Sequence, residues 1–355
     1  MLRLPDAKTS LCVFTMSEQS SNLSTNWSSS SIQNGAYSRI ELASACTLAF
    51  LSPITVATNI LLITTIIKDP LHYFKKPTSY FVLGLSIADL LCGLLVEPFF
   101  ALYFFVRYFT AGDKFQVISH TLFVISSIIS TASLNASFVM VLMLSFVQFI
   151  AIEYPYKYKI WIRKRFVLSS VMATWLYFTV FSLLPVLGMD QILFFKLNLT
   201  LHSTVISAIL AVLQILTYRA FKGHLQVHKI TRTTSLLFHL HSNTASPQKT
   251  SGKRLLQTRS RNYDRNFVLM TFYLAAILLF SAFPHIGVFY VFLYKQYRNQ
   301  KEEVILNILL RITDLFLFVK AAADAFIFAW RLPSYRKSIR FLLARKNNPQ
   351  IETSV

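Results

Sequence analysis

Seven apolar stretches, each long enough to cross a bilayer, constrain this chain more than any other feature. They lie at 42–67, 79–105, 117–150, 166–187, 199–226, 266–294 and 304–330. A hydrocarbon layer about 30 Å thick needs about 20 apolar residues per crossing helix. Lipid offers a backbone N–H or C=O no partner, so each stretch satisfies its own groups as a helix, and open sheets of the many Phe, Val and Ile residues fail. We therefore expect an all-α membrane protein, a seven-transmembrane helix bundle. Spans longer than the minimum fit tilted helices or helices that continue into water.

Charge orients the bundle. The loops joining spans one to two, three to four and five to six, with the tail, carry 22 of the 35 Lys and Arg, or 24 with Arg219 and Lys222 at the end of span five, and the opposite side carries 9. Basic loops stay cytoplasmic, which places the N-terminus of this multi-pass chain outside. The net charge of +20 is then a topological signal and not a sign of a nucleic-acid partner. Residues 1–41 read as an extracellular, glycosylated N-terminus, 42–330 as the transmembrane domain and 331–355 as a cytoplasmic segment.

Sequons at Asn22, Asn26 and Asn198 all fall on the side assigned as extracellular, although each tripeptide also arises by chance. A fourth, at Asn135, lies inside span three, beyond a glycosyl transferase. Residues 11–16 are too short for a signal core, so span one serves as its own insertion signal, and Met16 is an alternative start. Cys12, Cys46 and Cys92 define no disulfide framework. No internal repeat supports a transporter.

No metalloprotease, serine-hydrolase, phosphate-loop or dinucleotide motif is present, so we expect neither an enzyme nor a cofactor. His224 and His228, four apart, with His239 and His241 nearby, have the spacing of metal ligands. A solvated basic helix extension explains them better, and no metal site is assigned.

Polar residues inside the spans carry more information. A charge at mid-membrane costs about 2.5–3.5 kcal/mol on insertion scales and so faces the bundle interior. Asn59, Asp89, Ser137, Lys320 and Asp324 all fall near mid-membrane depth. Together with the run Leu85–Leu90, Trp175, Pro284 and the closing stretch Asp324–Leu343, they resemble the class A, rhodopsin-like G-protein-coupled receptors over residues 42–345.

That resemblance implies a switch, and this chain departs from it at several places. Val147-Gln148-Phe149 stands where the family has Asp-Arg-Tyr, so Asp264 at the foot of span six lacks its cationic partner. The family's switch tryptophan is Ala282, beside the retained kink-forming Pro284. Asn-Pro-x-x-Tyr of span seven becomes Asp324 to Phe328. Aligning Tyr218 with the span-five tyrosine puts Leu210 at the family's proline, and Phe123 stands where the family's disulfide cysteine would. These absences resemble melanocortin receptors, whereas Asp89–Pro98 is closer to adenosine and amine receptors; no subfamily follows.

In the family a sodium ion sits among the groups matched by Asp89, Ser137 and span seven. Lys320, four residues before Asp324 and on its face, is expected to replace that ion. A charge-balanced buried pair without a switching role is the alternative. Glu97, Ser130, His285, Arg311 and Asp314 are candidate ligand-binding residues; Ser130 replaces the ammonium-binding aspartate of amine receptors, and Glu97 with Arg311 has a second reading as a rim pair.

After span seven, Arg336, Lys337 and Arg340 oppose Tyr335, Ile339, Leu342 and Leu343 on a short amphipathic cytoplasmic helix suited to membrane lipid. Loop 227–265, rich in Ser, Thr and basic residues, is expected to be mobile and open to phosphorylation, or to be a plain linker. The terminal Thr353 and Val355 resemble a PDZ ligand. The expected function is a receptor for a small-molecule or peptide ligand, coupled to heterotrimeric G protein, with arrestin and a PDZ-domain protein as further partners. The alternative is a non-signalling decoy, scaffold or heterodimer partner.

Overall fold

The computed structural model describes residues 27–71, 74, 76–109, 113–241, 251–294 and 300–347. Among them all regular structure is helical. Span one lies in Trp27–Lys68, span two in Ser79–Phe109, span three in Asp113–Glu153 and span four in Lys164–Leu183. Span five runs from Gln191 through Gly223, span six lies in Ser251–Tyr294 and span seven in Gln300–Arg331. The helix Pro333–Asn347 follows, with Tyr335 and Ser338 buried and Arg336, Lys337 and Arg340 exposed.

Span three is the hub, packing against two, four, five and six, while span one packs on two and seven. The main core joins Phe81, Leu85, Met140, Leu144, Leu274 and Phe328, all essentially solvent-free. A second cluster toward the other end gathers Leu48, Phe100, Phe104, Phe123 and Phe318.

Among the described residues, six helices are long and apolar enough to cross a membrane on hydropathy alone. Span seven falls short because Arg311, Asp314, Lys320 and Asp324 lie on it; Arg311, Lys320 and Asp324 are buried in the bundle, and Asp314 is half-buried. A helix can carry such groups when they face protein instead of lipid.

Three expected boundaries change. Helix one begins at Trp27, well before residue 42. Span five begins at Gln191 rather than 199, capped by Asp190, whose carboxylate accepts from Leu193 N at 2.8 Å. Residues 184–190 are then a tight turn, with Gly188 at φ +100°, where a side chain would strain the backbone. Loop 227–265 is largely helix, since span five continues to His241 and span six starts at Ser251. Polar and basic residues did not end these helices, because Lys, Arg and Gln are themselves good helix formers. Asn22, Asn26, Cys12, Thr353 and Val355 lie outside the described residues, as do the side chains of His224, His228, His239, His241 and Asp264.

Spans one and two approach closely at Gly93. Ser52 Oγ donates to Gly93 O at 2.8 Å, and a Cβ on Gly93 would lie 2.8 Å from Thr55 Cβ. Gly93→Ala is expected to cost about 1–3 kcal/mol of overpacking, offset by up to about 1 kcal/mol of better helix propensity. A lowered midpoint in thermal unfolding of the purified chain checks this; an unchanged or raised one refutes it.

Candidate functional site

Lys320 sits at the centre of the bundle, 1% exposed. Its Nζ is 2.7 Å from Asp324 Oδ2 and 3.6 Å from Asp89 Oδ1, and it donates to Ser137 Oγ. The pair with Asp324 follows from helical spacing, since residues four apart share a face. Asp89 and Ser137 arrive from spans two and three. Asn59 lies against span seven, its Nδ2 donating to Thr55 O at 2.9 Å and reaching Ala321 O at 3.5 Å. Lys320 Nζ thus occupies the space between Asp89, Ser137 and Asp324.

Next to this centre is a cavity of about 860 Å³. Its lining includes Ser130, His285, Arg311 and Asp314, with Ala282, Phe138 and Leu317 among the apolar residues. His285 Nδ1 stands 3.0 Å from Asp314 Oδ1, bridging spans six and seven. The Arg311 guanidinium lies over the Phe104 ring at 4.2 Å. Glu97 is not at the cavity: it is fully buried between spans one and two, where Thr55 Oγ1 lies 3.2 and 3.3 Å from its carboxylate oxygens. The rim pair of Glu97 with Arg311 is replaced by another, Glu41 with Arg107 at 3.4 Å. Sequence reasoning missed Glu41 by assigning it to the N-terminal segment. The buried series Glu41, Ser44, Ala45, Leu48, Thr55, Asn59, Leu62, at helical spacing, is the signal that locates it.

A second polar chain joins spans three, five and four. Asn135 Nδ2 donates to Asn198 Oδ1 at 2.8 Å, which also lies 3.2 Å from His202 Nδ1, while His202 Nε2 is 3.0 Å from the Tyr177 hydroxyl. Because Oδ1 only accepts, this geometry assigns the proton to Nδ1 and makes Tyr177 the donor to Nε2. Asn198 opens a π-helical stretch, Asn198–Val205, and lines the cavity. It is therefore a helical residue beside the cavity and not a loop residue.

At the other end, Val147, Gln148 and Phe328 are buried, Phe149 is half-buried, and Leu210 is solvent-free. Tyr218 instead points outward, 56% exposed, with its ring edge near Phe272. Pro284 lies within an unbroken helix, exposed on its outer side. Sequence reasoning also overlooked Arg331. Its guanidinium lies 4.3 Å over Tyr273 of span six and 4.2 Å over Trp330, and it donates to the Tyr273 hydroxyl.

Residues 58–328 match the family model for the 7 transmembrane receptor (rhodopsin family). The chain belongs to this family and is a multi-pass membrane protein. It is also 27% identical over 133 residues to the alpha-1A adrenergic receptor of Oryzias latipes. That match covers 38% of this chain and 26% of the relative, so the chain spans about a quarter of that receptor's length.

Proposed function

We propose that the protein is a plasma-membrane receptor, with its N-terminus outside, that passes ligand binding in the cavity to a heterotrimeric G protein through an altered switch. The observation that carries this is the continuity of cavity and polar centre. Leu317 and Phe138 line the cavity, while Lys320, one helical turn on from Leu317, and Ser137, next to Phe138, form the centre. A ligand that displaces Leu317 moves the helix bearing Lys320. Ala282, in place of a bulky ring, extends the cavity inward, so the ligand's apolar part reaches deep while its polar part meets Arg311 and the His285–Asp314 pair.

The other reading, a non-signalling partner, is favoured by Gln148, which is buried and uncharged where the family carries arginine. Guanine-nucleotide exchange in cells expressing the chain separates the two. Exchange above background in the native chain is expected, changed at least several-fold by Gln148→Arg. No exchange from either form, with both at the cell surface, favours the partner reading. Arrestin and a PDZ-domain protein, the latter held by Thr353 and Val355, complete the proposed partners.

A further inference from the structure

Between spans three and four the chain reads Tyr154-Pro-Tyr-Lys-Tyr-Lys-Ile-Trp-Ile-Arg-Lys-Arg165. Five of these residues are basic and none is acidic. Ile162, 5% exposed, and half-buried Tyr158 pin the segment to the main core. The helix Pro155–Trp161 has no buried residue, and Tyr156, Ile160 and Trp161 stand 78%, 44% and 56% exposed.

Three of its five cations rest on rings or backbone. Lys157 Nζ lies 4.9 Å from the Tyr154 centroid and 5.7 Å from that of Trp161, and Lys164 lies 5.3 Å from Tyr80. Arg163 Nε donates to Ile160 O at 3.1 Å. Among the described residues, no carboxylate forms an ion pair with Lys157, Lys159, Arg163, Lys164 or Arg165. Among the described residues these five cations are therefore without a carboxylate partner, although exposed Glu153 directly precedes the segment. Directly afterwards span four exposes Phe166, Leu168, Met172 and Leu176, the surface a bilayer covers. The basic cluster thus stands where a lipid-facing helix enters water.

We propose that residues 154–165 are a docking surface for anionic phospholipid headgroups of the adjoining leaflet. Lipid phosphates accept hydrogen bonds from the Arg and Lys side chains. Trp161 and the tyrosines sit at headgroup level, and Ile160 meets the acyl boundary. Charge alone would suit any anion; the exposed apolar flank beside it suits one that carries acyl chains. This surface is independent of whether the protein signals.

The test uses the full chain in nanodiscs whose acyl chains are brominated on either the anionic or the zwitterionic lipid. Trp161 emission is taken as the difference between the chain and its Trp161→Phe variant. Quenching severalfold stronger from the anionic lipid is expected. Neutral Gln substitutions at the five basic positions together should erase that preference at low salt. Equal substitutions at Arg336, Lys337 and Arg340 should leave Trp161 quenching unchanged, and all variants should keep the native unfolding midpoint. Equal quenching by both lipids, or a preference that survives the five substitutions, overturns the proposal. Trp161 that neither lipid quenches, but that added G protein shields, overturns it in favour of a protein partner.

Discussion

Lys320→Ala is expected to destabilise the folded chain by about 3–5 kcal/mol, the largest single effect foreseen for this bundle. Asp89 and Asp324, 2% and 1% exposed, lie on either side of the ammonium, and its removal leaves two carboxylates facing each other away from water. Asp89 Oδ2 and Asp324 Oδ1 already have no hydrogen-bond donor among the described residues, so the lost charge is not replaced locally. Removing one carboxylate as well should recover much of the loss. Lys320→Met with Asp324→Asn is therefore expected to be more stable than Lys320→Met alone, with a coupling of about 1–3 kcal/mol in a double-mutant cycle. Thermal unfolding of purified chain in nanodiscs measures both. Exchanging sodium for potassium should not move the native midpoint, because the ammonium holds the cation's place. A Lys320→Ala chain as stable as the native one would sink the account.

The spans were legible because lipid forces apolar helices of a minimum length, and that rule needs no tertiary information. Their ends were less so. Hydropathy does not see which face a polar residue takes, so Glu41 and Asn198 read as ends or loops although each turns inward within a helix. The same blindness made span seven look apolar by position while its charges keep it from passing as a membrane helix by hydropathy. At the site, the pairing of Lys320 with Asp324 was readable from spacing alone. The arrival of Asp89 and Ser137 required the family resemblance. Glu97 and Arg311 were matched on charge and depth, but rotation about their helix axes decides partners: Glu97 turns to Thr55 and Arg311 to Phe104. Arg331 looked like an ordinary basic residue ending a span, and only the packing of span seven on span six reveals its two rings.

Arg331→Ala is expected to raise basal nucleotide exchange about tenfold or more. The guanidinium is held by two aromatic faces and one hydrogen bond, together about 2 kcal/mol by the usual worth of such contacts. Tyr273 belongs to span six and Arg331 to span seven, so this contact ties the two helices at the end that carries Gln148. A contact of that size, made in only one of two arrangements, shifts their ratio about 30-fold when lost. Arg331→Lys should restore part of the effect, because an ammonium can sit over one ring but cannot cover two and donate in a fixed plane. Tyr273→Phe keeps the ring and removes the hydroxyl, and should fall between native and Arg331→Ala. A purely structural role predicts a different result: a lowered unfolding midpoint with no rise in exchange. Spin labels on spans six and seven decide the matter even if the chain never couples to a G protein, since Arg331→Ala must then broaden or lengthen the distance between them. An unchanged distance distribution excludes the clamp, because a tie that holds two helices together cannot be cut without letting them part.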